Sequence, residues 1–198
     1  MYLKIGVFVL AYLMGSIPTA FWYAKYFHGI DIRQHGSGNV GATNSLRVLG
    51  KKAGIIVLIF DLLKGLIPVL LSRYLGFSEE ETFLVGIVSI LGHIWSVFAN
   101  FKGGKGIATS LGVILAVSPA GAGVSVLVFV AVVYFTKYVS LGSLLAGLTF
   151  VLYYLLFNSS QTLMSLIAFL LFVLLVYTHR ENIKKLLKGT ENKLSSKK

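Results

Sequence analysis

The chain has no cysteine among its 198 residues, which excludes disulfides, thiolate metal sites and a thiol able to carry an acyl group. Any covalent chemistry falls to Ser, Thr, Lys, His or a carboxylate. Acidic side chains are nearly as scarce, and Asp31, Asp61, Glu79, Glu80, Glu81, Glu181 and Glu191 complete the set. A magnesium cage of several carboxylates is therefore poorly supplied; no metal and no cofactor are expected. Charged residues make up only 13% of the chain against 56% hydrophobic, with a mean hydropathy of +0.83. That balance belongs to an integral membrane protein, not to a soluble domain. The net charge of +11 would raise nucleic acid as a partner for a soluble protein. Here the placement of the charges matters more than their sum, and no nucleic acid is expected.

A helix needs about 20 apolar residues to cross a bilayer, fewer where protein or water surrounds its ends. The apolar runs predict spans at roughly 3–26, 53–74, 82–100, 105–117, 120–136, 141–157 and 162–179. The expected fold is an all-α membrane protein, a polytopic bundle of seven transmembrane helices. The fourth and fifth spans meet at "VSPAG" around Pro119; fewer crossings there would leave five. The whole chain, 1–198, reads as a single membrane domain ending in a short basic cytoplasmic tail over 180–198. An odd number of crossings puts the termini on opposite sides. Of the eighteen Lys and Arg residues, fifteen fall on one side, from Lys25, Arg33 and Arg47 through Lys105 to the tail. The other side receives Lys4 and Arg73. The positive-inside bias then sets the N-terminus outside and the C-terminus in the cytoplasm. Lys4 before an apolar run also suits a signal peptide, but no A-x-A cleavage site follows. The tail "KKLLKGTENKLSSKK" is expected to fray after a brief interfacial helix.

Three polar stretches fall on the same predicted face: 33–47, 92–110 and 177–191. The first contains "HGSGNVGATN", a literal G-x-G-x-x-G at Gly36, Gly38 and Gly41. Dinucleotide binding requires that string to follow a buried strand, and here it follows a membrane helix. Two uses remain open. Successive backbone N–H groups can form a nest around an anion, with Ser37, Asn39, Thr43, Asn44 and Ser45 as uncharged donors and Arg47 as a fork for phosphate. Alternatively the loop is a turn that needs glycine, its Ser, Thr and Asn residues capping the next helix.

The second stretch, "FKGGKGIATS", lacks the Walker A spacing but places Gly103, Gly104, Lys105 and Gly106 at the start of a predicted helix, with Thr109 in its early turns. A helix N-terminus favours an anion, and Lys105 adds a full charge. Lys102 reads as an interface anchor. His93, about 10 Å below the predicted surface, is either functional or a packing histidine bonded to a neighbouring loop. His179 and Asn182 share a helical face where the last span emerges. Asp61 and Lys64, at i and i+3 in the second span, read as a pair that orders the bundle, the alternative being a proton relay. "GATNSL" and "GIATSL" echo each other, too briefly to establish a repeat.

On "GSGNVGATN" with Arg47 downstream, "GHIWSVFANFKGGKGIAT" and "THRENIKKLLKGTE", in that order, the chain resembles the bacterial membrane glycerol-3-phosphate acyltransferases that use acyl phosphate as donor. The resemblance covers nearly the whole chain. It implies transfer of a fatty acyl group from acyl phosphate to the 1-hydroxyl of glycerol 3-phosphate, giving lysophosphatidic acid and phosphate. It implies that the motif around Ser37 and Arg47 is catalytic, that the motif around Lys105 binds glycerol phosphate, that His179 and Asn182 belong to the third motif, and that Glu191 is structural. The candidate catalytic set is Ser37, Asn39, Arg47, His93, Lys105, His179 and Asn182. Candidate substrate contacts are Gly36, Gly38, Gly41, Thr43, Asn44, Gly103, Gly104, Gly106 and Thr109. Expected partners are glycerol 3-phosphate, acyl phosphate and membrane lipid.

The residues add constraints of their own. No H-x-x-x-x-D pattern and no G-x-S-x-G elbow is present. Direct transfer in a ternary complex is therefore expected, with Ser37 as a hydrogen-bond donor, an acyl-Ser37 intermediate being the alternative. His93, His179 or a substrate phosphate can accept the proton. Acyl-CoA and acyl-carrier protein suit a basic surface equally, so the donor rests on the resemblance. A transporter for a phosphorylated metabolite and a scaffold for anionic lipid are the rival classes.

Overall fold

The computed structural model describes residues 2–157 and 162–194. All regular structure among them is helical, in two compact units, Met1–Val117 and Ser118–Lys198.

The first unit holds α1 (Tyr2–Ser16), α2 (Thr19–His28), α3 (Ala42–Leu49), α4 (Lys51–Tyr74), α5 (Glu79–Ile94) and α6 (Ile107–Val117). The span expected over 3–26 is two helices meeting at 42° around Ile17 and Pro18. Proline donates no N–H and clashes with a continuing helix, so the break frees carbonyls inside an apolar environment. Lys64 of α4 donates to the Ile17 carbonyl at 2.8 Å, and the Ser96 hydroxyl donates to that of Ser16. Lys64 also lies 2.8 Å from Asp61 Oδ1, so the expected intrahelical pair is present and tied to the break.

α5 begins with a capping box, in which Ser78 Oγ accepts from Glu81 N at 3.2 Å and Glu81 returns a bond to Ser78 N. Lys4 pairs with the same carboxylate. α5 stops at Ile94, short of the residue 100 expected from hydropathy. A 3₁₀ turn over Val97–Ala99 follows, then Asn100 and Phe101 with left-handed φ of 53° and 59°. His93 therefore stands in the last turn of α5, not seven residues inside a longer span. "WSVFANF" is apolar enough to pass for helix, but its backbone turns back.

Small residues let α4 and α6 touch backbone to backbone, as membrane helices do. A Cβ on Gly65 would run into the Thr109 carbonyl, and one on Gly112 into that of Leu62.

The second unit holds α7 (Pro119–Thr136), α8 (Val139–Phe157), α9 (Thr162–Thr178) and α10 (Arg180–Leu187). The expected split at Pro119 is present, with proline at the first helical position and Ser118 Oγ accepting from Gly121 N at 3.3 Å. α9 and α10 bend by 62° at His179, so His179 and Asn182 do not share one continuous helix as expected. The tail is tethered where fraying was expected: Leu194 N donates to the Lys137 carbonyl at 2.8 Å. Residues 195–198 of the predicted tail lie outside the described residues.

Each of the seven predicted spans overlaps a helix, the first broken at Ile17 and Pro18 and the third ending early at Ile94. Four helices are long and apolar enough to cross a membrane, or up to six counting each bent pair as one; α6, with 11 residues, is shorter.

The α4–α6 contact yields a stability test. Gly112→Ala should cost roughly 1–3 kcal/mol through overpacking and lower the unfolding midpoint in detergent by several degrees. Gly123→Ala, where nothing lies within 4 Å, should leave it unchanged or raise it. Equal midpoints for the two variants would show that the contact is not tight.

Candidate active site

The first loop is organised around one buried amide. Asn44 of α3, 1% exposed, accepts from Ser37 N at 2.8 Å through Oδ1 and donates to the carbonyls of His35 and Ile32 at 3.0 and 3.3 Å. Gly36 follows from this: its φ is 63°, and a Cβ there would strike Asn44 Oδ1. Asn44, expected as a substrate contact, thus has its amide engaged in holding the loop's shape. Ser37 is left exposed at the tip, and its Oγ accepts from Asn39 N at 3.5 Å. Below the tip, Arg33 and Asp31 form a two-pronged pair, Nε to Oδ1 at 2.9 Å and Nη2 to Oδ2 at 2.6 Å. The hydrogen-bonded guanidinium holds the Asp31 carboxyl below its ordinary range. Asp31 stays ionised and neutralises Arg33. Arg47 is half-buried with no carboxylate partner among the described residues.

α3 opens behind Gly41, with Ser45 N donating to the Gly41 carbonyl at 3.0 Å. The N–H groups of Ala42, Thr43 and Asn44 therefore precede the first intrahelical bond and have no acceptor within the helix. The second loop ends in the same way. Ser110 N donates to the Gly106 carbonyl at 2.7 Å, leaving the N–H groups of Ile107, Ala108 and Thr109 ahead of the α6 ladder. The short echo between "GATNSL" and "GIATSL" is thus one device used twice, a glycine-capped helix N-terminus with Ser at the fourth helical position.

Gly103 and Gly104 have a different part from the one expected. Their N–H groups donate to the carbonyls of Ile94 and His93 at 3.0 and 3.1 Å, so they fold the loop onto the end of α5. A Cβ on Gly104 would collide with His93 Nε2 and lie 2.6 Å from the Val40 carbonyl. Glycine is required because both loops and an imidazole meet there. Lys105 follows directly, half-buried. Thr109, another expected substrate contact, is fully buried against α4. The third position of α6 faces the neighbouring helix, away from the loop.

His93 is 6% exposed, its Nδ1 3.9 Å from Asp61 Oδ1. That separation permits an electrostatic contact and no hydrogen bond.

The third polar stretch lies in the other unit. His179, 2% exposed, caps α10, and its Nδ1 lies 2.9 Å from the Leu175 carbonyl. A carbonyl only accepts, so Nδ1 carries the proton and the lone pair is on Nε2. Glu191 Oε1 accepts from Asn182 Nδ2 and from Ser140 Oγ, each at 2.7 Å. This junction joins α8, α10 and the tail. Ser140 escaped the sequence reading, since nothing marks one Ser in "YVSLGS" as the partner of a carboxylate 51 residues on.

In the first unit two helices start within three residues of the Val40–Gly104 contact, flanked by Arg47 and Lys105. That geometry suits anions, phosphates above all.

Known proteins bear on this directly. A family model described as glycerol-3-phosphate acyltransferase matches residues 5–189. The chain is 48% identical over 192 residues to glycerol-3-phosphate acyltransferase 2 of Bacillus anthracis, covering 97% of this chain and 100% of the relative. It is 43% identical over 187 residues to the glycerol-3-phosphate acyltransferase of Geobacter sulfurreducens, covering 94% and 95%. Among solved structures it is similar to PlsY (YgiH), an integral membrane glycerol 3-phosphate acyltransferase. The glycerol 3-phosphate form superposes with a TM-score of 0.90 at 42% identity, and the lysophosphatidic acid form with 0.88 at 41%; each comparison covers 96% of this chain and 94% of the other. With two glycine-capped helix starts beside Arg47 and Lys105 and a family match spanning nearly its full length, the chain belongs to the glycerol-3-phosphate acyltransferase family.

Proposed function

We propose that this acyltransferase takes its fatty acyl group from acyl phosphate and transfers it to the 1-hydroxyl of glycerol 3-phosphate, releasing lysophosphatidic acid and phosphate. It would thereby carry out the first acylation of bacterial phospholipid synthesis. The observation that carries this reading is the meeting of two glycine-capped helix N-termini at Val40 and Gly104, flanked by Arg47 and Lys105. Two phosphate-bearing substrates repel each other, and such a place offsets the repulsion with N–H dipoles and fixed cations.

Acyl phosphate is a mixed anhydride and arrives activated. The hydroxyl oxygen attacks the acyl carbon, the bond from that carbon to the phosphate oxygen breaks, and phosphate leaves. Neither candidate histidine is well placed to take the hydroxyl proton, since His93 and His179 are 6% and 2% exposed. The departing phosphate is the proton acceptor in this reading. Ser37, exposed on a loop shaped by Asn44, donates a hydrogen bond to the reacting phosphate or oxyanion. His179 and Asn182 enter this reading as members of the third family motif, Asn182 held by Glu191 and His179 by the Leu175 carbonyl.

The basic loops set the topology we infer: seven crossings with the N-terminus outside, the C-terminus in the cytoplasm of the inner membrane, and catalysis on the cytoplasmic side. α6 can count as a crossing only with its ends enclosed by protein. The acyl chain stays within the lipid.

Purified protein in detergent, given labelled glycerol 3-phosphate with palmitoyl phosphate, palmitoyl-CoA or palmitoyl-carrier protein, should form lysophosphatidic acid from palmitoyl phosphate alone. Lys105→Ala should lose about 100-fold or more in kcat/KM, the scale for removing a charged contact to a reacting phosphate. Product from the thioesters at a comparable rate would sink the donor assignment.

A second measurement separates direct transfer from an acyl-enzyme. Ser37→Ala should retain activity reduced by roughly 10²–10³, the cost of one oxyanion-type donor. Acid-quenched wild-type enzyme should show no acylated Ser37 peptide by mass spectrometry, and finding one would establish the covalent route.

A further inference from the structure

We propose that Asp61 and Lys64, acting through His93, are positioning residues that set where the Gly103–Lys105 loop stands against the Ser37 loop. This rests on the acyl-transfer reading and gives the buried charges of α4 a part in acceptor binding.

All three side chains are at least nine-tenths buried. Lys64 Nζ lies 2.8 Å from Asp61 Oδ1 and 2.8 Å from the Ile17 carbonyl, so α4 is fixed to the break between α1 and α2. Asp61 Oδ1 in turn faces His93 Nδ1 at 3.9 Å. A carboxylate on that side favours the imidazole with its N–H on Nδ1 and opposes rotation of the ring. The opposite edge, Nε2, lies where a Cβ on Gly104 would stand, beside the Val40 carbonyl, and the His93 carbonyl accepts the Gly104 N–H at 3.1 Å. Gly103 and Gly104 have no side chains to anchor themselves, so the loop rests on the ring. Lys105 is the next residue, and a tilt of the imidazole passes to it.

Stability alone accounts poorly for the arrangement, because a buried ion pair often gives way to apolar residues without loss. What Leu or Met would not supply is direction: a donor for the Ile17 carbonyl and a charge that orients the imidazole. His93 as general base is the competing role. It predicts a different kinetic signature, because a base acts on turnover whereas a brace acts on acceptor affinity.

The test uses the full chain in detergent. Glycerol 3-phosphate binding is measured by calorimetry without donor, alongside KM, kcat and the unfolding midpoint. The variants are Asp61→Asn, the double Asp61→Asn with Lys64→Met, His93→Asn and His93→Gln. Asparagine places its amide near Nδ1, whereas glutamine reaches toward Nε2. The brace predicts that the double variant, which leaves the Ile17 carbonyl without its donor and unfolds several degrees below wild type, is still folded at the assay temperature and binds glycerol 3-phosphate about 10-fold more weakly. Kd and KM should rise together and kcat at saturation change less than about 3-fold. His93→Gln, which keeps a polar group at the Nε2 edge under Gly104, should keep more affinity than His93→Asn, which leaves that edge empty. Asp61→Asn alone leaves Lys64 without its carboxylate and can fail to fold; the double and the histidine variants then decide. A folded double variant with wild-type affinity overturns the proposal. So do histidine variants that lose about 100-fold or more in kcat at unchanged Kd. Wild-type protein that bound no glycerol 3-phosphate would remove the acyl-transfer reading as well, so the two failures are distinguishable.

Discussion

Within a bilayer every backbone polar group must find its partner inside the protein, and the bond from Lys64 to the Ile17 carbonyl meets that demand at the point where this fold departs from straight helices. Pro18 ends α1 after Ser16, and two carbonyls come free away from water. An ammonium and a hydroxyl, from Lys64 and Ser96, arrive from different elements to accept the role. With the break satisfied, α2 can leave at an angle and deliver its C-terminal end to the Asp31–Arg33 pair. α4 is held where its glycine face meets α6. The charge on Lys64 then requires Asp61, and Asp61 requires a neighbour that tolerates a carboxylate, which is His93. A single proline-induced break thus accounts for the burial of Lys64, Asp61, His93 and Ser96 together.

The two glycine-rich loops, different in sequence, reach the same end state. In one the shape is set by an amide, Asn44, that ties three backbone groups together. In the other the loop's own N–H groups bond back to the end of α5. Each closes on a glycine whose carbonyl starts a helix, and each leaves three N–H groups ahead of the hydrogen-bond ladder. The glycines that look like ligands are largely there for packing, whereas the N–H groups ahead of the ladder include those of Ala42, Ile107 and Ala108, which the motif reading does not select.

That contrast marks what can be read from this sequence. The helices were legible because hydropathy varies on the length scale of a span, and the Asp61–Lys64 pair because i and i+3 share a helical face. The placing of two glycine-capped helix starts beside Arg47 and Lys105 was legible in part, from glycine content and the short echo of "GATNSL" in "GIATSL". The end of α5 was not, because "WSVFANF" is mostly apolar and its turn depends on left-handed backbone at Asn100 and Phe101, neither of them glycine. The place of Thr109 was missed because a helix start specifies position along the axis without specifying which side meets α4. The tethered tail was missed for a related reason: Glu191 finds Ser140 and Asn182 only after α8 and α10 are in place, a partnership with no local signal.

The burial of both histidines bears on why an activated donor suits this scaffold. An enzyme that deprotonates its acceptor needs a base at the surface of its site with its lone pair exposed. Here His93 is enclosed beneath Gly104, and His179 is tied to Leu175 at the start of α10. A phosphate leaving group supplies oxygens basic enough to collect the proton and anionic enough to be held by Arg47, Lys105 and helix N-termini. A thioester's sulfur carries no charge before it leaves and has no non-bridging oxygens for Arg47, Lys105 and the helix N-termini to hold. On the proposed chemistry the protein therefore needs no nucleophile, no metal and no general base of its own. What it must do is hold two phosphates closer than they would stand in water, and a pair of helix starts fixed by glycine contacts and a buried charge pair is suited to that task.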